Sequence, residues 1–388
     1  MSDSISTDNT LNNQPVEKID LSSMSYNEQF TYKQNFLKNL LSPFFNGELD
    51  AYSSPEKHYR MRAEFRVWHD GPATYHIMFD QSTKQQYRVD QLPAASILIN
   101  NAMQSVMAFL NLGTDEAKEL RAKLFQVDYL SSTSGEIVIS MLYHKVLSDE
   151  WEACALKLKS ALSESLSNCA NVDIIGRARK VKRLINRDYI NEALKINQQH
   201  YTFKQVENSF TQPNAAINID MIEWVSKNGE SKNSDLLELY CGAGNFSVPL
   251  SHYFRNVLAT EISKTSVNAA QENITNNNIS NLKIARLSSE EFVEAYNKTR
   301  EFNRLADIRL DDYDFKTVLV DPPRAGLDDG TLDLISRFDV IIYVSCNPST
   351  LIENLNTLNK THKVVHAALF DQFPFTEHIE SGLILKRR

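Results

Sequence analysis

The chain is short of cysteine, of glycine and of positive charge, and each shortage removes a class of protein. Only four cysteines occur in 388 residues, Cys154, Cys169, Cys241 and Cys346, and no two form a C-x-x-C pair. Zinc-ribbon, redox-dithiol and iron–sulfur sites therefore lack their ligand spacing. A disulfide framework does not suit so long a chain, and a reducing compartment fits its thiols better. Eleven glycines and eleven prolines are too few for a collagen-like chain. Basic residues number 41 against 49 acidic ones, a net charge of −8, so no molecule-wide basic field draws nucleic acid. Any phosphate contact must come from local patches. The first twenty residues carry four acids, one lysine and no apolar core, so no signal peptide is expected. No run of ~18 apolar residues suggests a membrane span. The expectation is a soluble, cytoplasmic protein of two to three domains at ~150 residues each.

What is present divides into three stretches. Residues 1–22 are rich in Ser, Asn, Asp and Thr and read as a mobile tail. Residues 23–200 open with a helix over Tyr26–Leu41, with Phe30, Phe36, Leu37, Leu40 and Leu41 at helical spacing, stopped by Pro43 and Asn46-Gly47. A hairpin around Asp70-Gly71-Pro72 follows, then mixed helices and strands that predict an α+β unit. Residues 201–388 alternate strand and helix. Strands are expected at 235–240, 256–261, 282–287, 315–321, 340–346, 364–370 and 382–386, which predicts a parallel, doubly wound α/β sheet. Its ligand belongs beyond the carboxyl ends of the strands.

Three strand ends there carry chemistry. Asp235–Leu239 runs into Tyr240-Cys241-Gly242-Ala243-Gly244, a turn whose glycines let a ligand approach backbone N–H groups at a helix start. Nineteen residues after Gly242, Glu261 ends the next strand, where a carboxylate can accept from both hydroxyls of a ribose. Ser247 replaces the third glycine of a dinucleotide fingerprint, which favours a nucleoside cofactor without a pyrophosphate, such as S-adenosylmethionine, over an ordinary strand–turn–helix. Asp321-Pro322-Pro323-Arg324 ends another strand, because two prolines cannot donate to a ladder. Amino-directed methyltransferases carry an aromatic residue after such a D-P-P. Arg324 stands here instead and suits a phosphate or the target base. Cys346 ends a third strand, with Asn347 and Pro348 suited to N-cap and N1 of the next helix, and so stands where a thiol would be activated. Cys241, Cys154 and Cys169 read as structural. His362 and His366 lack a third ligand and read as structural or exposed rather than metal-binding.

Taken together these motifs resemble the RNA uracil-C5 methyltransferase family, over most of the chain. In the first half, His58–Arg66, Phe79-Asp-Gln and Lys123-Leu-Phe-Gln are similar to its tRNA-specific branch. In the second, Gln205–Asn214, Glu238–Phe246 and Asp371-Gln-Phe-Pro match in order. The resemblance implies a Rossmann-like methyltransferase domain with a mostly parallel seven-stranded sheet over 201–388, preceded by an α+β RNA-recognition domain. It implies that Gln212, Tyr240, Asn245, Glu261 and Asp321 contact S-adenosylmethionine, that Cys346 is the nucleophile and that Glu380 is the base. Residue reading alone does not separate Glu380 from Glu377 or His378. The family's chemistry adds the thiolate to C6 of uracil, methylates C5 and then removes the C5 proton, dividing one hard step into easier ones. Pro213 and Ala243 are small departures from the family pattern. Ribosomal-RNA relatives often add a barrel and a cysteine cluster, and their absence favours tRNA, with uridine-54 of the T-arm as the implied target.

The RNA-facing candidates are Arg60, Arg62, Phe125, Arg177, Arg179, Lys180 and Arg324. Six basic residues and no acid stand in the eleven positions 177–187, and Arg60, Arg62 and Arg66 stand beside Tyr59 and Phe65. Such runs neutralise phosphates while aromatics stack on splayed bases, although a charge run is ordinarily just a solvated face. A uridine inside a folded loop has to be flipped out to react. No metal, iron–sulfur cluster or obligate protein partner is expected. Rival readings are the same reaction on another RNA such as a tRNA-like RNA or rRNA, an exocyclic-amine methyltransferase, and an RNA-folding factor with a methyltransferase shell.

Overall fold

The computed structural model describes residues 23–80, 83–229 and 231–388. The expected tail over 1–22 lies outside them, as does Gln81 of the Phe79-Asp-Gln motif. Helix α1 (Tyr26–Leu41) and strand β1 (Leu49–Tyr52) come first in the chain. A seven-stranded sheet follows, made of β2 (Arg62–Asp70), β3 (Ala73–Phe79), β4 (Gln86–Arg88), β5 (Leu124–Ser131), β6 (Glu136–Tyr143), β7 (Asn171–Ala178) and β8 (Val181–Ile185). Its order is β4-β3-β2-β5-β6-β7-β8. Along β2, Ala63, Phe65 and Val67 are buried while Glu64, Arg66 and Trp68 are exposed, the period of two that a one-sided core imposes. Helices α2 (Ile97–Leu110), α3 (Asp115–Arg121) and α4 (Asp149–Ser165) supply that core, with Ile99, Val106, Trp151 and Leu158 packed against Phe65, Val127 and Ile139. Only β6 and β7 run parallel, and α4 is the crossover such a pair requires.

The hairpin of β9 (Tyr189–Ile196) and β10 (Gln199–Val206) leads into the second half. There α5 (Ala215–Gly229), β11 (Asp235–Leu239), α6 (Ser247–Leu250), β12 (Val257–Thr260), α7 (Lys264–Asn276), β13 (Leu282–Ala285), α8 (Ser289–Tyr296), β14 (Phe315–Val320), α9 (Asp329–Ile335), β15 (Val340–Ser345), α10 (Pro348–Leu358), β16 (His362–Phe370) and β17 (Glu380–Arg387) alternate as expected. The sheet order is β1-β16-β17-β15-β14-β11-β12-β13, parallel throughout except for β17. Two apolar layers cover its faces, as buried parallel strands require. The strand order reverses between β14 and β12 around β11, so the crevice lies beyond the ends of β11 and β14.

Three features differ from the sequence reading. The second sheet has eight strands rather than seven, because Leu-Asp-Ala-Tyr at 49–52 pairs in parallel with β16 although four residues are too few to show a period. Helix α1, grouped by sequence with the RNA half, packs on this second sheet through Leu37 and Leu41. The division at residue 200 also falls inside a hairpin: Leu194, Ile196, Tyr201 and Phe203 all enter the core of the second half.

Candidate active site

Four strand ends reach one edge of the second sheet, and the antiparallel direction of β17 adds its first residue to them. Tyr240-Cys-Gly-Ala-Gly follows β11, Glu261 follows β12, Asp321 follows β14, Cys346 follows β15, and Glu380 opens β17. Register fixes the last two: Ser345 lies opposite Ser381, so Cys346 and Glu380 are adjacent. Gly382 cannot be larger, since a Cβ there would stand 2.7 Å from the Trp224 ring.

One side of this edge is a narrow cleft lined by Phe210, Gln212, Tyr240, Gly242, Asn245 and Asp321 among others. Gly242 and Gly244 have φ of +56° and +82°, and a Cβ on Gly242 would meet nothing within 4 Å, so that backbone is open to a ligand. Glu261 accepts from the N–H of Gly242 at 3.0 Å and of Ser263 at 2.7 Å. Each oxygen keeps a lone pair for a further donor. Asn245 exchanges two 2.8 Å amide bonds with Asn218 of α5. Tyr240, itself at φ +64°, turns its hydroxyl away to donate to Ser289 at 2.7 Å, leaving its ring and backbone toward the cleft. Beneath them Glu238 is buried, accepts from the Ser247 hydroxyl, and is pushed up to about 8 by that burial. The sequence contains Glu238 inside a recognised motif but gives no reason to single it out.

The reacting side has an unexpected charge balance. Sequence reasoning places Cys346 where a helix start lowers a thiol's pKa. Asn347 does cap α10, accepting from Ser349 N–H at 3.1 Å, with Pro348 following it. Yet the thiol is pushed up to about 11, by burial first and then by the Glu380 and Asp321 carboxyls, against a smaller lowering by Arg324. Glu380 is raised to about 8 by burial, and Asp321 well above the usual carboxylate range by burial and by Glu380. His378 Nε2 lies 3.3 Å from Glu380 Oε2. That imidazole is held down to about 4 by burial and by the Lys33 and Arg324 charges, so it is neutral at pH 7. Phe373 packs edge-on to His378 at 4.7 Å, whereas Phe375 turns to Tyr26.

A second groove lies on the first sheet. A bulge between Leu124 and Gln126 throws Phe125 out of the ladder, and its ring stacks on His144 at 3.9 Å with the Arg66 guanidinium 5.5 Å from its centre. Arg177, Arg179 and Val181 line the same groove, 50 and more positions away in sequence. The basic run itself spans β7, a turn and β8. Most of it is spent internally: Lys182 pairs with Asp188, Arg183 with Asp149 and Glu152, and Arg187 with Asp173 and Glu136. Arg177 is also committed, gripping Glu207 with two nitrogens, and Arg62 donates to the carbonyls of Glu207 and Ser209. These two therefore tie the halves together, while Arg177 also lines the groove at Phe125. Arg60 points across the joint, its guanidinium 5.3 Å from the Phe373 ring centre. Arg179 and Lys180 are exposed and make no ion pair among the described residues.

The tRNA (Uracil-5-)-methyltransferase family matches residues 25–388. The chain belongs to that family. It is 53% identical over 369 residues to the tRNA/tmRNA (uracil-C(5))-methyltransferase of Pseudoalteromonas atlantica, covering 95% of this chain and 99% of that one. It is 53% identical over 374 residues to the enzyme of the same name from Mannheimia succiniciproducens, at 96% and 99%. The crystal structure of Pyrococcus abyssi tRNA (uracil-54, C5)-methyltransferase in complex with S-adenosyl-L-homocysteine superposes with a TM-score of 0.68 at 20% identity, covering 94% of this chain and 84% of that one, a likeness of fold.

The protein is thus a methyltransferase that uses S-adenosylmethionine on C5 of uracil in tRNA. Its fold brings Cys346, Glu380 and Asp321 to one place and lines the adjoining cleft with Gln212, Tyr240 and Asn245. Asn218, Glu238, His144 and Lys33 are what sequence reasoning missed. His144 carried a usable signal, an aromatic ring beside Lys145 at a strand end, and the other three carried none. His362 is buried and bonded to the Phe338 carbonyl at 2.8 Å, while His366 faces solvent. No helix among the described residues is long and apolar enough to cross a membrane.

Proposed function

We propose that the enzyme methylates uridine-54 in the T-loop of tRNA through a covalent bond between Cys346 and C6 of the flipped base. One observation supports this most: thiol, base and Asp321 share one sheet edge beside a cleft suited to a nucleoside. When bound, S-adenosylmethionine supplies an electrophilic methyl on a sulfonium cation. Glu380 and Cys346 hold their protons in the free protein and burial pushes Asp321 in the same direction, so a cation beside them would favour their ionised forms. Cys346 would lose its proton to solvent and its sulfur would add to C6, the electron pair of the C5–C6 double bond passing to the ring carbonyl as an enolate. C5 would then take the methyl that the bound donor supplies, the pair of the methyl–sulfur bond staying with the donor's sulfur. Glu380 accepts the C5 proton, the C–H pair re-forms the double bond, and the pair of the S–C6 bond leaves with the Cys346 sulfur. Glu380 suits that task once ionised, because a base of raised pKa near the working pH is the stronger acceptor. Glu261 would hold the ribose. Phe125 and His144 would stack on loop bases, Arg179 and Lys180 would meet phosphates, and Arg324 would meet the target nucleotide. The relatives' shared name includes tmRNA, so a tRNA-like RNA is a second substrate in this reading, and a cytoplasmic place follows from such substrates.

A T-arm RNA with 5-fluorouridine at the target tests this. Fluorine cannot leave as a proton does, so with S-adenosylmethionine a protein–RNA band should survive a denaturing gel. The Cys346→Ala variant should abolish it. RNA binding without any adduct would overturn the covalent route through Cys346 or uridine-54 as the target.

A further inference from the structure

Helix α1 buries a stripe four residues apart, Gln29, Lys33, Leu37 and Leu41. The lower two enter the core of the second sheet, but the upper two are polar and no more exposed than the leucines, at 0% and 1%. A lysine is almost never buried so fully unless something specific holds it, and a buried ion pair is weak support for stability compared with apolar residues of the same volume. Lys33 Nζ donates to Asp371 Oδ1 at 2.7 Å and to the Phe373 carbonyl at 3.0 Å. Gln29 Oε1 accepts from the Phe375 N–H at 2.8 Å, at a residue held at φ +59° where a side chain is strained. Both side chains therefore grip one loop, 371–375. That loop continues directly into the reacting groups. Phe373 packs edge-on to His378, His378 meets Glu380, and Gln372 donates to Gln212 at 3.2 Å on the cofactor side.

We propose that Lys33, with Gln29, is a positioning residue for the reaction, holding the 371–375 loop so that His378 and Glu380 stand where the C5 proton has to be taken. The inference rests on the reading of Glu380 as base. It assigns a role to a helix that lines neither the cofactor cleft nor the groove at Phe125. It also explains why charge is buried where leucine would pack: two donors on one Nζ fix a carboxylate and a carbonyl of the same loop, which an apolar side chain cannot do.

The test separates the steps before proton removal from that step itself. The variant Lys33→Met/Asp371→Asn removes both charges together, so that neither is left buried alone. With S-adenosylmethionine and an ordinary uridine T-arm RNA, it should accumulate covalent protein–RNA adduct on a denaturing gel and turn over roughly ten- to a hundredfold more slowly. Its RNA and cofactor affinities should stay within about twofold, and trapping of 5-fluorouridine RNA should keep its wild-type rate, since that adduct forms before the base acts. A merely structural role predicts trapping and turnover falling together, and that result overturns the proposal, as does unchanged turnover. Glu380→Gln run in parallel keeps the two readings apart. If it stalls as adduct and the double variant does not, only the positioning role of Lys33 falls. If Glu380→Gln turns over normally, the base assignment falls and the role of Lys33 with it. Should the double variant not fold, Gln29→Leu leaves the ion pair in place and has to show the same adduct accumulation in weaker form, or the proposal fails.

Discussion

At the scale of single residues, the site combines three acids that are each reluctant to ionise. Cys346 is raised to about 11 and Glu380 to about 8, by burial first, and each negative neighbour adds to the effect on Cys346. A cationic ligand and these protons therefore exclude one another. Binding of S-adenosylmethionine should release protons, and its affinity should rise as pH climbs toward 8, where Glu380 ionises without help. S-adenosylhomocysteine lacks the sulfonium charge, so its affinity should be flatter with pH. Calorimetry in buffers of different ionisation enthalpy measures the protons released, and equal release for both ligands would refute the account. Glu238 gives a second residue-level expectation. Its folded pKa of about 8 lies above the ordinary carboxylate value, so the folded state holds a proton that the unfolded state loses. Stability should fall as pH rises from about 4.5 to about 8. Glu238→Gln keeps the shape and the bond to Ser247 without the titration, and its melting temperature should decline less over that window.

At the scale of elements, the legibility of the structure follows the strength of each local pattern. The alternation after residue 201 gave all seven of its strands, with ends displaced by a few residues at most, because buried parallel strands are continuous apolar runs. The cap and first residue of α10 were readable from Asn347-Pro348, since both positions obey local rules. Strand β1 was not, being too short to show a period, and neither was the purpose of α1, whose polar stripe has meaning only beside a loop more than 330 residues away. The bulge at Phe125 is a feature of pairing, which one strand's sequence does not contain. The basic run was legible as charge but not as use, because its ion-pair partners lie in other elements. That difference can be measured in the β7–β8 turn. Arg179→Ala and Lys180→Ala should each lower the slope of log affinity against log salt by about 1 while leaving stability within ~0.5 kcal/mol. Lys182→Ala, whose partner is Asp188, should change the slope less. Equal slopes for all three would return the turn to an ordinary solvated surface.

At the scale of the whole molecule, two sheets with separate apolar cores are joined mainly by polar contacts. Among the described residues Met61 packs against the core of the second half, and a small cluster of Leu130, Val138, Ile175 and Ile190 continues apolar packing from the first sheet to the β9–β10 hairpin. Around it Arg177 and Ser140 hold Glu207, Thr133 donates to Glu192, and Asn191 N–H donates to Glu136 at 2.7 Å. Arg62 spans the joint, its guanidinium donating to the carbonyls of Glu207 and Ser209 amid the acids Glu64, Asp128 and Glu207. Burial works to discharge Arg62 and those acids resist it. Asp128 beside it is pushed up to about 6, chiefly by its own desolvation. Among these ties Arg62 is the cation that meets two carbonyls and lies among three carboxyls. Replacing it leaves those groups desolvated and mutually repelling, whereas neither core loses a residue. Arg62→Met should therefore cost about 2–3 kcal/mol and split the unfolding of the chain, with the first sheet melting apart from the second. Calorimetry reads this as a calorimetric enthalpy exceeding the van't Hoff enthalpy in the variant but not in the wild type. The split should widen only as pH rises above 6, because Arg62 holds the Asp128 carboxyl down to about 6 and without that cation it ionises later; a single transition at every pH would show that Arg62 does not carry the joint.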